Sequence, residues 1–137
     1  MKYGKLILEK KEYVMIKRLL NLTNDYKDSI QKIALTKFAK EIESAEILDD
    51  DKIPDDVVRI NSEITIATKD GWQYTFLVVL PAESNNSQKK ISLLVPMGAA
   101  VLGYAKDDCI SWTFPGGDKD IIILEVKQNN IIKLNIA

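Results

Sequence analysis

The chain has 137 residues, the length of one domain, and its 46% hydrophobic and 28% charged residues are ordinary globular usage, which excludes a disordered chain. It holds no histidine and one cysteine, so imidazole base chemistry, His-activated nucleophiles, His-ligated zinc, Cys-cluster metal sites and an intramolecular disulfide are all excluded. Charge is balanced in total, at −1, and uneven in place: residues 1–40 carry ten Lys/Arg against four acids, and the remainder nine against sixteen.

In chain order, MKYGKLILEKKEYVMIKRLL has no apolar run of signal-peptide length, and eighteen apolar residues never occur together, so a cytoplasmic setting with no membrane contact is expected. Tyr13, Ile16, Leu19 and Leu20 form a short stripe of helical period, and Ile30, Ile33, Ala34, Phe38, Ile42 and Ala45 form a second. Between them Asn21, Asn24 and Asp25 supply turn and N-cap chemistry, which predicts a short antiparallel helical hairpin over residues 10 to about 46. Eight acids between Glu41 and Asp56, with Pro54 among them, mark the boundary between an N-terminal unit, 1–50, and a second, 51–137.

Beyond the boundary the period becomes two. VVRINSEITIAT and WQYTFLVVL read as strands joined at Asp70-Gly71 and paired antiparallel. After Pro81, AESNNSQKK is a polar loop, ISLLV a short strand, and PMGAAVLGY a short helix opened by Pro96 and stopped at Gly103. CISWTF, the turn FPGGDKD and DIIILEVKQ close the sheet. The fold class is α+β.

Candidate chemistry is sparse. Asp49, Asp50, Asp51, Asp55 and Asp56 lack the alternate spacing and central glycine of a calcium loop and read as a solvated linker; no metal or cofactor is expected. Pro115-Gly116-Gly117 is a turn, since the phosphate-loop pattern is absent and Asp118 repels anions. Cys109 reads as a small core filler. Trp72, Tyr74, Phe76, Trp112 and Phe114 line strand faces and read as core, with base stacking the alternative. Asp25 and Asp28 at the hairpin turn suit a helix cap and a first-turn acid.

Two segments, DKIPDDVVRINSEI and VPMGAAVLGYAKDDCISWTFPGG, and the strand order between them resemble the C-terminal domain of the Gre transcription elongation factors. The likeness is stronger still to their short-hairpin branch, the regulators of nucleoside diphosphate kinase. Pro96, Met97, Gly98, Ala99, Ala100, Leu102, Gly103, Asp108, Ile110, Trp112, Pro115, Gly116 and Gly117 occupy the family pattern, over roughly residues 52–128. The resemblance implies an FKBP-like, bent antiparallel sheet with one short helix, carrying the helical hairpin. It implies docking on bacterial RNA polymerase, on the β′ coiled coil at the rim of the secondary channel, through Ser92, Leu94, Val95, Pro96 and Met97. Leu94 and Val95 stand where Gre factors have an acid and a serine.

Gre factors act with acids at the hairpin tip, a position that Asn24, Asp25 and Asp28 occupy here. Arms of about 12–18 residues span only about 18–27 Å, short of a catalytic centre that longer hairpins reach. The expectation is a monomeric, non-enzymatic polymerase-binding regulator with at most indirect nucleic-acid contact. A transcript-cleavage factor, a prolyl isomerase and an RNA-binding module are the alternatives.

Overall fold

Glu9 sets where the first helix begins. The computed structural model describes residues 1–22, 29–114 and 117–128, and in it strand β1 (Ile7–Glu9) runs straight into α1 (Lys10–Leu22). The Glu9 carboxylate accepts the amides of Lys11 (2.8 Å) and Glu12 (3.1 Å), satisfying two of the orphan donors of the first turn. Helix α2 (Ser29–Glu43) follows, then β2 (Glu46–Leu48). Strands β1 and β2 pair parallel, with Ile7 opposite Glu46. Collinear extensions of an antiparallel helix pair would meet antiparallel, so the strands do not simply prolong such a pair. This two-stranded ribbon was not legible as strand, each arm being only three residues long.

The main sheet contains β3 (Glu63–Ala67), β4 (Gln73–Val79), β5 (Lys90–Ser92), β6 (Cys109–Phe114) and β7 (Gly117–Lys127), in the order β5-β4-β3-β7-β6. The β3–β4 hairpin turns at Asp70-Gly71 as expected, with Gly71 at φ 93° and the Asp70 carboxylate accepting from the Thr68 hydroxyl and the Trp72 amide. The sheet is not wholly antiparallel: β5 runs parallel to β4, with Leu77 opposite Lys90. The polar stretch between them makes two single 3-10 turns, Pro81–Glu83 and Asn86–Gln88, long enough to return the chain to the same end of the sheet.

The run Val57–Thr68 is also not one strand. Arg59 to Ser62 turns back on itself, the Ser62 amide donating to the Arg59 carbonyl and Asn61 taking φ 75°. Val57 and Val58 pair instead with Tyr104 and Ala105 beyond helix α3 (Pro96–Val101).

Helix α2 is held by packing. Its buried residues are Ala34, Leu35, Phe38 and Ile42, while Ile33 is 52% exposed, so the inward face is rotated from the expected stripe. Each large side chain in that row stabilises by about 1.5–3 kcal/mol, which an isolated 15-residue helix lacks. These residues share one hydrophobic cluster with Leu6, Leu8, Ile16 and Leu20 and with the sheet residues Ile64, Phe76, Ile110 and Ile123. Along its length α2 lies against α3 and β6: Gln31 donates to the Leu94 carbonyl (3.3 Å), Lys37 to that of Ser111 (2.8 Å), and Glu41 accepts from the Tyr104 hydroxyl (2.8 Å). Burial, then the bond to Glu41, push the Tyr104 phenol well above its ordinary range.

Helix α1 is fastened by charge. Glu12 occupies the same buried row as Ile16 and Leu20. One carboxylate oxygen takes the Nε (2.9 Å) and Nη2 (2.6 Å) of Arg59, and the other the Ile60 amide (3.0 Å). Arg59 also pairs with Asp50 at 2.8 Å, and Asp56 binds Lys2 and the Tyr3 hydroxyl. The acidic stretch is thus not a free solvated linker, since two of its aspartates anchor the chain. Cys109 is likewise exposed rather than a core filler, because its β6 neighbours Ile110 and Trp112 take the inward positions.

Burial pushes the Glu12 carboxyl above its ordinary range, with Arg59 pulling against it. Arg59→Met therefore strands a buried carboxylate and should cost about 3–5 kcal/mol, recovered in part by Glu12→Leu/Arg59→Met. The deficit of the single variant should grow as pH rises through the raised Glu12 value, read by urea unfolding between pH 4 and 8. Asp56 behaves oppositely. Partial burial pushes its carboxyl up, but the bonds from Lys2 and Tyr3 outweigh it and leave it below the usual range. Its contribution is present above an unfolded value of about 3.9 and is lost as pH falls through the folded one, so the stability gap between wild type and Asp56→Asn should close on acidification.

Candidate protein-interaction surface

The segment from Ser92 to Met97 is a tight corner between β5 and α3. Ser92 Oγ accepts the Leu94 amide (3.0 Å), and the Ser92 carbonyl accepts the Val95 amide (3.2 Å). Pro96 then opens α3 at its first position, where a missing N–H costs nothing. Two residues on, a Cβ at Gly98 would collide with the Ser92 carbonyl group, so only glycine lets the helix lie this close to the corner.

The corner divides the five sequence-predicted docking residues. Ser92 and Leu94 are buried and shape the turn from inside. Val95, 37% exposed, with the half-buried Pro96 and Met97, forms the outer, solvent-facing part of the corner. Asn24, Asp25 and Asp28 lie outside the described residues, as do Pro115, Gly116 and the Phe114 side chain.

Three further motif positions, Gly103, Asp108 and Trp112, receive residues of the N-terminal unit. Gly103, at φ 86°, accepts the Ile7 amide on its carbonyl (3.1 Å) and leaves room for Leu6 and Leu8, which a Cβ would crowd. The buried Asp108 carboxylate takes the Lys2 amide (2.6 Å) and the Ala105 amide (2.8 Å). Trp112 is buried beneath Lys37, whose ammonium sits 4.3 Å from the ring centroid. Gln31, Lys37, Glu41, Glu12 and Arg59 escaped sequence reading. A readable signal existed for three of them: Glu12 shares the helical spacing of Ile16 and Leu20, and Lys37 and Glu41 stand four apart.

The aromatic row on β4 is graded from core to solvent. Phe76 is buried, Tyr74 stacks on it at 5.5 Å, and Trp72 stacks on Tyr74 at 5.9 Å while 46% exposed. Trp112 is core as expected, whereas Trp72 is not. Among the described residues no three His, Cys, Asp or Glu side chains are grouped to hold a metal ion, and no helix is long and apolar enough to cross a membrane.

Residues 53–128, more than half the chain, match the family model for the C-terminal domain of the transcription elongation factors GreA and GreB, and the chain belongs to that family. Within it the chain is 35% identical over 78 residues to a regulator of nucleoside diphosphate kinase from Escherichia coli (strain K12), a match covering 56% of this chain and 57% of that protein. It is 34% identical over 84 residues to the transcription elongation factor GreA of Chloroflexus aurantiacus, covering 61% of this chain and 54% of the other. The chain thus spans about half the length of the curated relatives it matches. A solved structure of a GreA/GreB-type elongation factor from Nitrosomonas europaea superimposes over 90% of this chain and 98% of its own, at 28% identity and a TM-score of 0.72.

Gly98→Ala should cost about 1–3 kcal/mol or more, because the Ser92 backbone cannot yield as a side chain would. Gly71→Ala, with open space around it, should cost less despite its positive φ. Urea-unfolding midpoints of the two variants test this order.

Proposed function

We propose that this protein is a transcription regulator that binds bacterial RNA polymerase at the rim of the secondary channel, without stimulating transcript cleavage. In this reading residues 51–137 form the FKBP-like docking domain, whose Val95–Met97 corner meets the β′ coiled coil. Residues 1–50 form a short, basic helical hairpin at the channel mouth. The chain acts as a cytoplasmic monomer and competes with longer-hairpin factors.

What supports the reading is a family-matched C-terminal domain together with helices that, over their described residues, are short and firmly seated on it. Helices α1 and α2 have 13 and 15 residues, or about 20 and 22 Å at 1.5 Å per residue. Between Gln31 and Glu41, α2 is tied to the docking domain by three side-chain bonds. Little of that helix is left to extend toward a distant active site.

Binding to purified core polymerase tests the docking. Val95→Asp, which puts a charge on the offered corner without touching the core, should weaken binding about tenfold or more, as loss of an interface anchor does. Cleavage of backtracked transcripts should stay at the level of polymerase alone, with or without Asp25→Ala/Asp28→Ala. Stimulated cleavage that the double variant abolishes would establish a cleavage factor instead.

A further inference from the structure

We propose that the outer face of α1 is a second docking surface, separate from the Val95 corner, and that it takes an acidic amphipathic helix of a protein partner.

Helix α1 carries two stripes. The inward one is Glu12, Ile16 and Leu20. On the opposite side Lys11, Val14, Met15, Arg18 and Leu22 follow at steps of three, one, three and four, a second row of helical period. Val14 is 52% and Leu22 77% exposed. Lys10, Lys11, Val14, Met15 and Arg18 line a shallow groove there.

A merely solvated lysine-rich face would place acids three or four residues from its cations, where they stabilise the helix by a few tenths of a kcal/mol each. Helix α2 does so with Lys37 and Glu41. On α1 those slots hold no acid: Val14 and Met15 stand three or four residues from both Lys11 and Arg18, and Asn21 and Leu22 three and four beyond Arg18. The nearby acids are engaged elsewhere, Glu12 on Arg59 and Glu9 on the first-turn amides. Lys10, Lys11 and Arg18 make no ion pair among the described residues.

Cations that have no counter-ion among the described residues and that flank apolar side chains call for an occupant bearing both carboxylates and an apolar ridge. The twelve residues from Lys11 to Leu22 extend about 17 Å along a straight cylinder, which suits ridge-into-groove packing of another helix. A phosphate backbone would answer the cations and leave Val14, Met15 and Leu22 against charge. A bilayer would ask for a wider apolar arc than three side chains supply.

The test uses the full chain and four probes: a 20-residue helical peptide with Glu spaced seven apart around a Leu-Leu pair, the same peptide with Ser for Leu, a single-stranded 20-nucleotide RNA, and phosphatidylglycerol vesicles. The acidic amphipathic peptide should shift amide resonances of α1's outer residues and bind more weakly as salt rises. Lys11→Glu/Arg18→Glu and Val14→Ser should each lower its affinity about tenfold, the first by charge and the second by apolar contact. Lys69→Glu, on an exposed turn, should leave it unchanged. Equal binding of the Leu and Ser peptides, an unaffected Val14→Ser, or binding of RNA or vesicles in preference to the peptide would overturn the proposal. Val95→Asp should not alter peptide binding, so failure of this surface and failure of polymerase docking are read separately.

Discussion

A single buried ion pair decides how the first helix meets the rest of the chain. Glu12 leaves water only because Arg59 and the Ile60 amide receive it, and Arg59 in turn holds Asp50. A carboxylate in that row has no alternative partner of comparable geometry among its described neighbours, and a buried charge without one is severely destabilising. The pair therefore acts less as a source of net stability than as a filter against other dockings of α1. It also explains the turn at Arg59–Ser62, which presents the guanidinium and the Ile60 amide to one side chain. A straight strand through the same residues would direct the Arg59 side chain out of the sheet and the Ile60 amide along its plane, away from a common acceptor.

Around this node the family motif serves the interior as much as any partner. Gly103 and Asp108 capture the first residues of the chain, Trp112 lies under Lys37, and the corner at Leu94 accepts Gln31. The N-terminal helices are consequently continuous with the core of the sheet. That arrangement accounts for the uneven charge along the sequence: acids of the middle segment are partly used to hold the N-terminus, while α1 keeps its cations for solvent or a partner.

The two surfaces differ in kind. The Val95 corner is a rigid turn, locked by Ser92 and by the contact at Gly98, and rigid small surfaces lose little entropy on binding. The α1 face is a charged groove whose contribution falls with ionic strength. If both proposals hold, the module has one shape-defined contact and one charge-guided contact.

Much of this was open to reading from the amino-acid order. Helical period separated the first third from the rest, Asp70-Gly71 placed a hairpin, Pro96 and Gly103 bounded a short helix, and the spacing from Pro96 to Gly117 pointed to the family. Those features are local, set by backbone preference within a few residues. What required the tertiary structure were the relations between distant residues: Glu12 with Arg59, Lys2 with Asp56 and Asp108, Gln31 with Leu94, the parallel pairing of β5, and the exposure of Cys109 and Trp72. Each depends on which face of an element is covered by another from far along the chain. Periodicity states that a face exists, and only packing decides what covers it.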